Sequence, residues 1–365
     1  ATAFGSFAFL LSPLVAQSLI TDLAGNATGG GSSAITEIVV AGGQGFFAAA
    51  GPWGRELYVS DGTTLGTRLV KDLGTVSASN PGGSSNPIYL TALGSQMLFS
   101  ANIEGLGREL WISDGTNSGT MLLQDLAPGA ASGAPFGFTR VGALVYFSAF
   151  DGTNHGLWVT DGTPDGTTQA FPLIASPTEM IAVGTTLYFS LATPGQGTEL
   201  WRSDGTLAGT SIVIDLVPVG SSSPSNLVAF QGGLLFSASE PGFGVEPYFS
   251  DGTAAGTVRL ADLNPTTSSN PAQFTVVGSR AVFVANVTGV GLELFVTDGT
   301  AAGTGLLADI NPGTAYSSPQ HLIEYSGHVY FNANDGTHGA QLWRTDGTAA
   351  GTTLFANIAP GGSAP

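Results

Sequence analysis

Apolar and polar positions alternate along most of this chain in short runs, and glycine, proline or serine separates one run from the next. One stretch reads Asn226-Leu227-Val228-Ala229-Phe230, then Leu234-Leu235-Phe236-Ser237-Ala238, then Glu246 to Ser250, then Val258 to Leu263. Each run has the length and composition of a β-strand, and no segment carries the 3.6-residue apolar period of a helix. The pattern predicts an all-β protein with almost no helix.

The runs recur in sets of four. The string [Ser/Thr]-Asp-Gly-Thr-x-x-Gly-Thr occurs seven times, with its aspartate at Asp61, Asp114, Asp161, Asp204, Asp251, Asp298 and Asp346, at intervals of 53, 47, 43, 47, 47 and 48 residues. That period suits one four-stranded propeller blade and exceeds the leucine-rich, ankyrin and tetratricopeptide repeats. A phenylalanine marks the second run of every copy: Phe47, Phe99, Phe147, Phe189, Phe236, Phe283 and Phe331. An aromatic marks the third: Tyr58, Trp111, Trp158, Trp201, Tyr248, Phe295 and Trp343. Rings at fixed places in twisted sheets would pack blade against blade. The expected fold is a seven-bladed β-propeller of four-stranded antiparallel blades over residues 35–365, preceded by an apolar extension, residues 1–34, that carries one extra strand at about 17–23.

The third run and its turn, Glu109-Leu110-Trp111-Ile112-Ser113-Asp114-Gly115-Thr116 and Glu199-Leu200-Trp201-Arg202-Ser203-Asp204-Gly205-Thr206, resemble the bacterial ELWxxDGT repeat proteins. The resemblance covers about residues 35 to 358. It implies a propeller-like, exported protein and carries no established activity. The glutamate is the weakest motif position, being Gly156 in the third copy and Gln341 in the seventh, so a role that needs this carboxylate in every blade is not expected.

Asp-Gly between two strands is a hairpin signal, because glycine takes positive φ freely and aspartate accepts bonds from nearby amides. The seven aspartates are therefore read as structural turn residues. Calcium is the rival, but it needs six to eight oxygen ligands. Only the third copy, with Asp161 and Asp165, puts two acids in one turn. No metal and no cofactor is expected.

Composition narrows the function. Charged residues make up only 10% of the chain and hydrophobic ones 42%, and the net charge is -17, with Lys71 the sole lysine. Polyphosphate and anionic membrane surfaces would be repelled. There is no cysteine, hence neither disulfide nor thiolate site. His155, His321, His328 and His338 match no zinc spacing, and neither a nucleophile elbow nor a phosphate-cradling loop is present. No enzymatic activity is expected.

The fourth-run pattern, ending in Asp-Leu or a near variant, follows each of the seven turns and occurs once more as Ser18-Leu19-Ile20-Thr21-Asp22-Leu23. This surplus strand follows an uncharged stretch, residues 1–16. Phe7, Phe9, Leu10, Leu11, Leu14, Val15, Leu19, Ile20 and Leu23 are therefore predicted to mediate self-assembly, docking on an adjacent copy and building a filament by heterologous contacts. The run at Phe7–Ala16 is too short, and too broken by Pro13, to cross a bilayer. The leading expectation is an extracellular or cell-surface structural and adhesive protein whose partner is itself. The alternative is a monomeric surface propeller that binds a glycan or protein ligand, a reading weakened by Trp53 being the only tryptophan outside the third-strand positions.

Overall fold

The computed structural model describes residues 33–358, apart from positions 78, 81 and 174. The described residues contain no helix and form seven four-stranded sheets, each taking its strands in chain order. The fold is a seven-bladed β-propeller. In blade 5 the strands are Ser225–Phe230, Gly233–Glu240, Gly244–Ser250 and Thr257–Arg259, paired antiparallel throughout. Except in blade 3, whose fourth strand runs Thr168–Leu173, the fourth strands stop before the Asp-Leu pair or its variant that the sequence pattern places inside them, as Met121–Gln124 does ahead of Asp125. That pair opens the connector to the next blade.

The chain divides into two compact units. One runs through Glu104 and includes Ile112–Met121, and the other holds Gly105–Trp111 and everything from Leu122 onward. In the second unit, consecutive blades share apolar cores. Phe230, Leu235 and Leu260 of blade 5 pack with Phe274, Phe283 and Phe295 of blade 6. Val277, Val282 and Leu307 of blade 6 pack with Val329, Phe331 and Ala333 of blade 7. All seven marker phenylalanines are buried, and the second- and third-strand rings stack in pairs such as Phe236–Tyr248, with centroids 5.5 Å apart. In the first unit, Phe47 stacks on Tyr58 in the same way at 5.9 Å.

Each first strand except that of blade 1 carries a bulge, where the register against the second strand shifts. The residue there takes a left-handed φ: Tyr89, Gly137, Glu179, Asn226, Gln273 and His321. Gln273 Nε2 reaches the carbonyl of Pro319 in the next blade, at 3.4 Å.

Candidate functional site

The Asp-Gly-Thr turns are self-contained. In blade 4, Asp204 Oδ1 accepts from the Thr206 amide at 2.9 Å and from Thr206 Oγ1 at 2.7 Å. The Gly209 amide donates to Thr206 Oγ1, and Thr210 Oγ1 donates to the Thr206 carbonyl. The same bonds recur at Asp61, Asp114, Asp161, Asp251, Asp298 and Asp346. The threonine hydroxyl and amide hold all seven carboxyls below the usual aspartate range. Among the described residues, no group of three or more acidic or histidine side chains is placed to hold a metal ion.

The motif's two glycines have different causes. Gly205 has φ near +94°, which L side chains rarely adopt. Gly209 is required for space, because a Cβ there would lie 1.9 Å from Asp204 Oδ1. Asp204→Ala is therefore expected to cost about 1 kcal/mol, and Gly209→Ala more. Combining Asp204→Ala with Gly209→Ala should recover part of the Gly209→Ala loss, since it removes the collision. Urea denaturation of the three variants checks this, and strict additivity would refute the steric account.

Glu56, Glu109, Glu199, Glu246 and Glu293 are fully buried, and each clamps the connector leaving its own blade. Glu246 accepts from the Leu263 amide at 2.9 Å, the Ser269 amide at 2.9 Å and Ser269 Oγ at 2.6 Å. Glu199 does the same with Leu216 and Ser222, and Glu293 with Ile310 and Ser317. The clamped serine then passes its carbonyl to the following blade: Ser269 accepts from the Asn286 amide at 2.8 Å, and Ser222 from Ser239 at 2.7 Å. One carboxylate thus fixes the joint between two blades. Burial, opposed by these bonds, pushes all five carboxyls up, Glu56 to about 7.

The two motif departures have local substitutes. At Gly156 a Cβ would meet Gln169 Nε2 at 2.3 Å, so the side chain of Gln169 fills the space. Gln341 keeps one bond, accepting from the Ile358 amide at 2.9 Å, and its Nε2 donates to the His338 carbonyl.

The histidines do not converge. His155 opens the third strand of blade 3, with Ser176 Oγ 3.4 Å from its Nδ1. His338 Nδ1 lies 2.7 Å from Asp335 Oδ2. Burial pushes the Asp335 carboxyl up, but the His338 side chain and the Thr337 and His338 amides outweigh it and bring it down to about 2. His321 occupies the bulge of blade 7. A cavity of about 260 Å³ on blade 7 is lined by Tyr316, Ser317, Gln320, Asn332 and Asn334, among others.

Blade 7 differs from its predecessors on one face. Tyr325 is 71% exposed, where its counterpart Phe230 in blade 5 is 3% exposed. Ile323, Phe355 and Ile358 are likewise exposed. On blade 1, Ile38 is 51% exposed where its counterpart Phe274 in blade 6 is 6% exposed, and Val40 is exposed beside it. The predicted assembly residues Phe7, Phe9, Leu10, Leu11, Leu14, Val15, Leu19, Ile20 and Leu23 lie outside the described residues.

No protein-family model and no curated protein matches this chain. Among solved structures, it is similar to a prolyl endopeptidase at 10% identity and a TM-score of 0.47, covering 89% of this chain and 50% of that one. It is also similar to puromycin hydrolase, at 16% identity and 0.42, covering 87% and 60%. A third is the β-propeller domain of the trilobed protease from Pyrococcus furiosus, at 10% identity and 0.40, covering 75% and 85%. The chain spans about half the length of the prolyl peptidases it matches. Likenesses this distant carry no activity across.

Proposed function

We propose that this chain is a structural and adhesive β-propeller of the cell exterior that associates with itself and has no catalytic role of its own. The observation that carries this reading is the amount of large apolar side chain left in solvent. Leu65 is 98% exposed and Val219 96%, with Val40, Val76, Tyr325 and Ile358 also standing out. A surface with few charges and many exposed aliphatic groups favours association over a dispersed monomer. The polar groups that recur in the blades are meanwhile occupied internally, the aspartates within their turns and the glutamates on the connectors.

Sedimentation velocity and negative-stain microscopy of the full chain test the proposal. Concentration-dependent assemblies are expected, and a monomer at every concentration up to the solubility limit overturns it. A second reading, a ligand-binding propeller, is favoured by the blade 7 cavity, whose amide and phenol groups suit a small polyhydroxylated ligand. Saturable sugar binding by a persistent monomer would select it.

A further inference from the structure

Asp-Gly bonds occur in the seven turn motifs and at three further places, Asp151-Gly152, Asp165-Gly166 and Asp335-Gly336. This dipeptide carries a chemical liability, because glycine has no side chain to obstruct the approach of its nitrogen to the aspartate Cγ. When the nitrogen attacks, an N–Cγ bond forms and the C–OH bond of the carboxylic acid breaks. The amide proton leaves with the hydroxyl as one water, and the product is a cyclic succinimide. Water then adds back at either ring carbonyl. Attack at Cγ restores aspartate, whereas attack at the main-chain carbonyl carbon leaves isoaspartate, whose backbone runs through Cβ. Neither an oxidant nor a metal is required.

A glycine amide that donates a hydrogen bond must give it up before it can lose its proton and turn onto the carboxyl. All but one of these amides are held in that way. In blade 4, the Gly205 amide donates to Ser203 Oγ at 3.1 Å, and Ser203 Oγ is itself paired with Thr210 Oγ1 at 2.7 Å. The hydroxyl ahead of the aspartate holds the amides of Gly62, Gly115, Gly162, Gly252, Gly299 and Gly347 likewise. Gly166 donates to Thr163 Oγ1 at 3.0 Å, and Gly336 to Asn334 Oδ1 at 2.9 Å. The Gly152 amide donates to no acceptor among the described residues. Asp151 and Asp335 make the instructive comparison, since both follow a second strand and precede a third. Both carboxyls are engaged: Asp151 Oδ1 accepts from the Thr153 and Asn154 amides, and Asp335 Oδ1 from the Thr337 and His338 amides, with His338 Nδ1 at Oδ2. At the glycine amide they part. Asn334 supplies an acceptor there, and Phe150, whose ring lies 5.4 Å from that of His155, has none to give.

We propose that Asp151-Gly152 is a site of spontaneous isoaspartate formation, and that the serine or threonine opening each turn motif guards the other aspartates against the same reaction. The hydroxyl at that position thus has a chemical duty besides shaping the turn. The reaction needs no second copy of the chain and is independent of self-association. At Asp151 it would insert a methylene into the hairpin between the strands Leu144–Phe150 and His155–Thr160. The carboxyl would then leave the Thr153 and Asn154 amides, which it holds at 2.7 Å each.

Ageing the folded full chain for several weeks at neutral pH tests this, with isoaspartate located by peptide mapping and counted by enzymatic methylation of the isoaspartyl carboxyl. Asp151 should convert about fivefold faster than Asp335 or the motif aspartates, the factor that one hydrogen bond is worth. In concentrated urea the preference should vanish. Phe150→Asn should slow Asp151 to the rate of Asp335, and Asn334→Ala should raise Asp335 to the rate of Asp151. Ser60→Ala should raise Asp61 by a similar factor. Equal rates at Asp151 and Asp335 in the folded chain overturn the inference, since hairpin position rather than the amide would then decide. A preference for Asp151 that survives in urea overturns it too, because local sequence would be the cause. Should Phe150→Asn fail to fold, Asn334→Ala decides alone, and an unchanged rate at Asp335 refutes the assignment. An unchanged rate at Asp61 in Ser60→Ala refutes the guarding role of the motif hydroxyl.

Discussion

Replacing Glu246 by alanine is expected to lower the unfolding free energy by about 4 kcal/mol, a large share of a domain's usual margin. Three donors converge on this carboxyl, the Leu263 amide, the Ser269 amide and Ser269 Oγ, and the site is closed to solvent. Alanine leaves them facing a void, and each buried unpaired donor costs about 1–3 kcal/mol before relaxation. The loss is not confined to one blade, because the Ser269 carbonyl holds the Asn286 amide of blade 6. Glu246→Gln keeps one accepting oxygen and should cost roughly half as much. The comparison that decides the mechanism is Glu240, which forms a partly exposed 2.8 Å pair with Arg259 and accepts from the hydroxyl of buried Tyr248 at 2.6 Å. Removing Glu240 leaves one buried donor unpaired rather than three, and should cost about 1–2 kcal/mol. Urea denaturation ranks the three, and a Glu246→Ala loss no larger than that of Glu240→Ala would show that the connector does not depend on its carboxylate.

These buried glutamates also mark the limit of what the residues announced. The blade count, the strand order, the aromatic stacks and the aspartate turns were all readable, because each follows from short-range rules: alternation, ring spacing, and the affinity of an Asp-Gly hairpin for its own amides. The role of the glutamate was not. Its partners Leu263 and Ser269 lie 17 and 23 residues downstream in an irregular connector, and no local periodicity links an acid to a serine at that distance. The absence of glutamate at Gly156 and Gln341 made the position look dispensable. A signal was nevertheless present, since a small residue, Ser85, Gly133, Ser222, Ser269 or Ser317, ends the connector after every clamping glutamate. The exposure of Tyr325 was hidden for a different reason. Tyr325 and Phe230 are equivalent in pattern, and only the folded chain shows that one is covered and the other is not.

Stability is expected to fall as pH rises from about 4.5 to 7, the reverse of ordinary acid denaturation. Burial pushes the Glu56 carboxyl up to about 7, from an ordinary value of 4.5, against the bonds from Ser85 and Leu73. A raised folded value means that the folded chain holds this proton more tightly than the unfolded chain does. The contribution is therefore complete below the ordinary glutamate range and is lost as pH climbs through 7, a change of about 3 kcal/mol for this one group. Burial drives Glu109, Glu199, Glu246 and Glu293 in the same direction. The turn aspartates act oppositely. Threonine bonds hold their carboxyls low, so their contribution is present above the ordinary aspartate range and is lost as pH falls through the lowered folded values. The two sets together place the stability maximum near pH 4.5. Urea midpoints measured from pH 3 to 8 should trace that maximum, and Glu56→Gln, which cannot ionise, should flatten its alkaline side. A Glu56→Gln profile as steep as wild type between pH 5 and 7 would mean that this carboxyl ionises in the folded chain as readily as in water, and that the connector clamp is wetter than its burial indicates.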